Sequence, residues 1–403
     1  MRVGGLRGGG IAQAAGRTGA PPPVAAGVSV GRRATFTRRP TEKASPGAAG
    51  GSLRPRPSLV PPRPAGRASS SGGAGATAET GFVTFRLQPP APISSDPAPL
   101  ALAYASLDGV GRVTAHRLIE RFPTLDALRA TPREQVGLRL KGAPNVEQTV
   151  AALFDDDVFR PALDRAEAEV AALRDKAIRV LAPGGAGWPA GLDALPRADR
   201  PLVLYAYGDP GALAGPSLAV LARAPLDGDP FETVQALARR VLTTPPAAES
   251  AAESGGAASG GAALIVGAQG GVDLALQKVA LGAGARVAVV VEAGLARLRP
   301  AMRPGATAAV RAGGVLVSPF PMTHGPFEHD DRERALVQAA LGAAVCAVAP
   351  PPDSPEDRAA AWAAEARRPL ALVGAAPPEA AWTENALRVD GPASFDAVAG
   401  LLA

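Results

Sequence analysis

Apolar residues follow two different periods along this chain, and the change between them divides it. From Leu100 to Phe122 they recur every three or four residues on both sides of Asp108-Gly109-Val110-Gly111, which predicts two helices joined by a tight glycine hairpin. Further helices are predicted at 125–130, 146–154 and 161–176. Beyond Lys176 the pattern becomes short apolar runs at 178–181, 202–207, 218–221, 263–266, 287–291, 315–317, 344–348 and 370–373, several rich in valine and bounded by Gly, Pro or Asp. Amphipathic stretches such as 231–242, 273–281, 334–341 and 358–366 lie between many of them. Buried strands alternating with helices predict a Rossmann-like α/β domain with a mostly parallel sheet, preceded by a helical module of helix-hairpin-helix type.

Composition adds a third region. Glycine (47) and proline (42) exceed a fifth of the 403 residues, more than a compact domain carries, so part of the chain is expected to be unstructured. Residues 1–80 hold twelve Arg and Lys against Glu42 and Glu79, which gives them +10 of a total of +5 and leaves the remainder at −5. The basic character therefore belongs to the N-terminal extension, and an anion site in the body has to be local. An Arg-, Ser- and Ala-rich start with few acids also suits a transit peptide, a disordered tail or an early start codon. The expected organisation is a basic extension at 1–96, a helical domain at 97–157, the α/β domain at 158–375 with a mobile Pro/Ala/Glu/Ser/Gly insertion at 243–261, and a short tail at 376–403. A single cysteine, Cys346, within a predicted strand reads as packing and excludes an internal disulfide. No run of eighteen apolar residues predicts a membrane span, and the body is expected to be cytoplasmic.

Chemistry concentrates in three places. Gly109 and Gly111 in the hairpin could offer backbone N–H groups to a DNA phosphate, with Arg112 adding charge, or could simply make the turn. The run Val266-Gly267-Ala268-Gln269-Gly270-Gly271-Val272-Asp273 passes from strand through a glycine turn into a helix. That arrangement admits a phosphate, although Gln269 breaks the dinucleotide fingerprint. Glu292 ends the next strand where a ribose-binding carboxylate would stand. Between Phe320 and Arg334, His324 and His329 lie among acids at a spacing that fits no standard metal frame, and acids are expected at a helix start in any case. No catalytic constellation, metal site or cofactor is expected, and the three tryptophans read as packing.

Taken in order, Gly109-Val110-Gly111, Gly187-Trp188-Pro189, Pro201-Leu202-Val203-Leu204-Tyr205 with Gly208-Asp209, the strand ending at Arg223, the Gly267–Asp273 loop and Gly313-Gly314-Val315-Leu316-Val317-Ser318 with Phe320-Pro321 resemble the DNA-processing protein A (DprA/Smf) family across about residues 98–375. The resemblance implies a helical SAM-like domain before an extended Rossmann fold. It also implies non-catalytic binding of single-stranded DNA in a basic pocket, protection of incoming DNA, and help in loading a RecA-type recombinase during natural transformation. A second copy of the chain is a further candidate partner. The site residues implied are Arg223, Gly267, Gly270, Gly271, Asp273 and one of Arg332 or Arg334. Each stretch departs from the family pattern. Leu221-Ala222 precede Arg223 in place of Gly-Ser, Val266 stands for a serine, Gly270 for an arginine and Gln277 for a histidine. Phe327-Glu328 followed by Asp330-Asp331-Arg332-Glu333-Arg334 replaces a Phe-Pro and Arg-Asn-Arg run. Two rival readings stay open: a nucleotide or small phosphorylated ligand at Gly267–Gly271, and a scaffold that binds neither.

Overall fold

The computed structural model describes residues 96–244 and 261–402, so the expectations for the basic extension and for the bulk of the insertion lie outside the described residues. Helices α1 (Ala98–Ala105), α2 (Arg112–Arg121), α3 (Leu125–Arg129), α4 (Arg133–Arg139) and α5 (Val146–Phe154) form the first module. A long helix, α6 (Asp156–Arg174), leads out of it. Proline normally opens a helix, which is why the sequence suggests a start at Pro161. The helix in fact begins five residues earlier, where the Asp155 carboxylate accepts from the Asp157 N–H at 3.0 Å and two further acids face the helix dipole.

Nine strands are present among the described residues: β1 (Ile178–Leu181), β2 (Leu204–Gly208), β3 (Ser217–Ala222), β4 (Ala263–Gly267), β5 (Val287–Val290), β6 (Val315–Ser318), β7 (Ala344–Val348), β8 (Leu370–Val373) and β9 (Leu387–Val389). They form one sheet in the order β1-β2-β6-β5-β4-β3-β7-β8-β9. Pairs β1/β2 and β2/β6 are antiparallel and the remaining pairs parallel. Eight of these strands coincide with the apolar runs. The ninth is three residues long, too short to show a period, and it turns residues expected to be a tail into the edge of the sheet, followed by a closing helix at Pro392–Gly400.

Helices α7 (Asp229–Thr243), α8 (Val272–Gly282) and α9 (Arg303–Arg311) cover one face of the sheet, through residues such as Val234, Leu237, Leu276 and Ala309. Helices α10 (Asp330–Leu341) and α11 (Pro355–Glu365) cover the other, through Val337, Ala340, Ala359 and Ala363. The closing helix, α12, packs on the α7 side. Helix α9 escapes sequence inspection because it opens with Arg303-Pro304-Gly305. Its proline occupies a first-turn position where no N–H is needed. A third apolar cluster joins the helical module to the sheet: Tyr104, Leu118, Phe122 and Phe159 share it with Ile178, Val180 and Tyr205. No helix among the described residues is long and apolar enough to cross a membrane.

Candidate functional site

Strands β3, β4, β5 and β6 step outward in one direction from the middle of the sheet, and β7, β8 and β9 in the other. The order therefore reverses between β3 and β7, and in open parallel sheets a crevice for ligands opens at such a point beyond the carboxyl ends of the strands. Arg223 leaves β3 there. The Gly267–Gly271 loop leaves β4 beside it, and helices α10 and α11 both point their N-termini at it.

The floor of this crevice is a closed ion-pair network. Arg223 donates through Nε to Glu356 Oε2 at 2.8 Å and through Nη2 to Asp331 Oδ2 at 3.2 Å. Arg334 is 1% exposed; it donates through Nη2 to Glu356 Oε1 at 2.5 Å and through Nη1 to Gln338, whose amide in turn donates to the Val220 carbonyl at 2.6 Å. Glu356 is fully buried and bridges the two guanidinium groups across the strand-order reversal. Burial works against the Arg223 charge, and the Glu356 and Asp331 carboxylates more than offset it, so its pKa rises. The sequence offers no sign of Glu356 as a site residue: a glutamate early in a helix after Ser354-Pro355 reads as ordinary capping, and only the topology carries it to Arg223.

The glycine loop is turned inward. Asp273, buried, accepts the Gln269 N–H at 2.9 Å through Oδ2, and burial pushes its pKa up to about 6 while Arg334 pulls the other way. A Cβ on Gly267 would lie 2.8 Å from that carboxylate oxygen and 3.1 Å from Arg334 Nη1. Gly267 is thus required by the close approach of two internal side chains to the backbone. Gly270 and Gly271 hold positive φ angles of 104° and 51°, which bring the chain into α8. The Gln269 side chain donates to Asp331 Oδ1 at 2.8 Å. Protein carboxylates, Asp273 on the Gln269 N–H and Asp331 on its side-chain amide, therefore occupy these loop donors. Glu292 is also buried; its Oε1 pairs with Arg299 at 2.9 Å and its Oε2 has no hydrogen-bond partner.

The loop that leads into α10 forms an aromatic rim, buried at Phe320 and exposed at Phe327 and His329. His324 stacks on Phe320 with ring centroids 4.8 Å apart and meets the edge of Phe327 at 5.1 Å; Phe327 stacks on His329 at 5.8 Å. Phe327 is 56% exposed. Asp330, buried, organises this loop: its carboxylate accepts the Phe327 N–H at 2.8 Å and contacts His324 Nε2 at 3.0 Å. The two histidines hold an aromatic ladder together. Exposed arginines flank it: Arg297 donates to the Thr323 carbonyl at 3.3 Å, and Arg332 reaches Asp199 at 3.7 Å. Of the two arginines the sequence leaves open, Arg334 enters the floor and Arg332 the rim.

Of the helical-module residues, Arg112 pairs with the Asp330–Arg334 stretch, while Gly109 of the hairpin meets groups of its own module. Gly109, at φ 78°, is roofed by Asn145 and Gln148; Gly111 begins α2 with open space around it. Arg112 pairs with Glu333 of α10 at 2.9 Å, so it ties the module to the sheet domain. Cys346 is buried in β7, and desolvation pushes its pKa up to about 12, as packing requires. Gln277 is buried with both amide atoms unpartnered, and no residue of the crevice bonds to it.

Fold and crevice define a doubly wound α/β protein with a helical module and a charged crevice at the strand-order reversal. The family model for DNA recombination-mediator protein A matches residues 179–394, more than half of the chain, and the chain belongs to that family. Among solved structures it is similar to DNA processing protein A from Streptococcus pneumoniae, at 15% identity and TM-score 0.47, covering 72% of this chain and 98% of that one. It is also similar to DNA processing protein A from Helicobacter pylori, described for its single-stranded DNA binding mode, at 19% identity and TM-score 0.42, covering 56% and 95%. No curated protein matches.

Proposed function

We propose that this chain binds single-stranded DNA on the rim of the crevice, without a catalytic step, and serves recombination by presenting the strand to a RecA-type recombinase. The observation that carries the reading is Phe327, a large apolar ring 56% exposed and stacked on His329, in a loop whose Thr323 carbonyl holds exposed Arg297 and which runs into a helix carrying exposed Arg332. Aromatic faces next to cations suit unpaired bases and their phosphates, because every base has a face to stack and every link a charge. Family membership supplies the DNA-processing context; the recombinase step rests on that membership alone.

The test is fluorescence anisotropy of a labelled oligo-dT with the full-length protein and its Phe327→Ala and Arg332→Ala variants. Differences between variants read the rim, since the basic first eighty residues are common to all. Phe327→Ala should weaken binding by about 1–3 kcal/mol, the worth of one stacked base. Arg332→Ala should flatten the dependence of log K on log salt by about 0.7. Equal affinity and slope in all three proteins would sink the reading.

A further inference from the structure

Three donors on three separate elements converge on one carboxylate in the crevice. Arg223 Nη2, after β3, lies 3.2 Å from Asp331 Oδ2; Gln269 Nε2, after β4, lies 2.8 Å from Asp331 Oδ1; and Arg334 Nε, on α10, faces the same oxygen at 3.9 Å. That Arg334 Nε is buried and has no hydrogen-bond partner, although Nη1 and Nη2 each donate a hydrogen bond. Asp331 itself makes contact with solvent, its side chain being 24% exposed beside an Arg223 that is 32% exposed. Glu356, beneath them, is fully buried and holds both guanidinium groups by bonds that do not involve Asp331.

We propose that Asp331 is an internal stand-in for a phosphate, occupying an anion site made by Arg223, Gln269 and Arg334 that a DNA backbone phosphate takes when the aspartate gives way. This rests on the single-stranded DNA reading and adds its regulation: strand engagement at the floor competes with a carboxylate the chain carries itself. The geometry requires nothing new of the donors. Glu356 keeps the two arginines charged and in place when Asp331 leaves, the unpartnered Arg334 Nε gains an acceptor, and the opening through which Asp331 meets solvent is the path for the incoming oxygen. A backbone phosphodiester carries the same single negative charge as a carboxylate, and its two non-bridging oxygens, set farther apart on a tetrahedral phosphorus, can meet donors that approach from three separate elements.

The experiment uses the full chain as wild type, Asp331→Ala, and Asp331→Ala combined with Arg223→Ala. Each is titrated with labelled oligo-dT over a range of salt and melted with and without inorganic phosphate. Asp331→Ala should bind the oligonucleotide at least about tenfold more tightly, because a like charge no longer opposes the phosphate. Its salt slope should steepen by about 0.7 for one added contact. Phosphate should raise the melting temperature of Asp331→Ala and not of wild type, and the added Arg223→Ala change should abolish both gains. Oligonucleotide binding that is lost in Phe327→Ala yet unchanged by Asp331→Ala, with no phosphate effect, overturns this inference and leaves the rim reading standing. Phosphate stabilisation of Asp331→Ala without oligonucleotide affinity in any variant confirms the anion site and overturns the DNA reading. If Asp331→Ala fails to fold, Asp331→Asn removes the charge while keeping the shape and an acceptor for Gln269, and the same outcomes apply to it.

Discussion

At the scale of single residues, the crevice separates groups that maintain the fold from groups that face solvent. Arg334, whose Nε belongs to the proposed anion site, also lies against fully buried Glu356, and removing it leaves Glu356 Oε1 and Gln338 Oε1 buried without their donor and Arg223 as the remaining cation on that carboxylate. Arg334→Met should therefore destabilise the protein by about 3–5 kcal/mol in urea unfolding, whereas an exposed ion-pair residue such as Arg197, paired with Glu120, should cost about 1 kcal/mol or less. Asp273 gives a pH signature. Its folded pKa, about 6, lies above the ordinary value of 3.8, so the folded state binds the proton more tightly than the unfolded one. The resulting stability is full below about pH 4 and is lost as pH rises through about 6. Compared with Asp273→Asn, wild type should lose on the order of 2 kcal/mol across that window, read from paired denaturation curves at pH 4 and pH 7. A flat difference would place the aspartate's proton elsewhere. In the sequence, Arg223, Gly267 and Asp273 were legible because strand ends and glycine turns mark where a Rossmann-like sheet presents side chains. Their partners were not: Asp331 and Glu356 look like helix-start acids, and burial and long-range pairing, which leave no local pattern, give them their roles.

At the scale of elements, the loop from Phe320 to His329 depends on the first residue of the helix that follows it. The buried Asp330 carboxylate ties down the Phe327 N–H and His324, and a cation at that position would release both. Asp330→Ala should unfix the aromatic ladder, costing about 1–3 kcal/mol of stability for the donors left unpaired and lowering oligo-dT affinity together with it. Tighter binding would show that the ladder needs no such anchor. The strands announced themselves through valine-rich runs because parallel strands are buried on both faces. Strand β9 and helix α9 did not, the first for want of length and the second because a proline and a glycine stand in its first turn.

At the scale of the whole molecule, the helical module and the sheet share one apolar cluster, in which Leu118 and Phe122 lie with Val180 and Tyr205. Arg112, bonded to Glu333, and Arg197, bonded to Glu120, add polar ties across the same junction. The described residues should therefore unfold as one cooperative unit. Leu118→Ala, a cavity worth about 2–5 kcal/mol deep in the module, should lower the midpoint reported by Trp188, Trp362 and Trp382, all in the sheet domain, as far as the midpoint from far-ultraviolet circular dichroism. Two separated midpoints would mean that the parts are independent. The contact of Gly267 with both Asp273 and Arg334, and of Arg334 with Glu356, extends over nearly ninety residues of sequence and gives these positions a common genetic fate. A charge change at any one of them meets a background set by the others. Saturation mutagenesis of this gene should find few viable single substitutions at the four positions and compensated pairs between 334 and 356, so that the crevice could change its charge only by passing through intermediates that fold poorly.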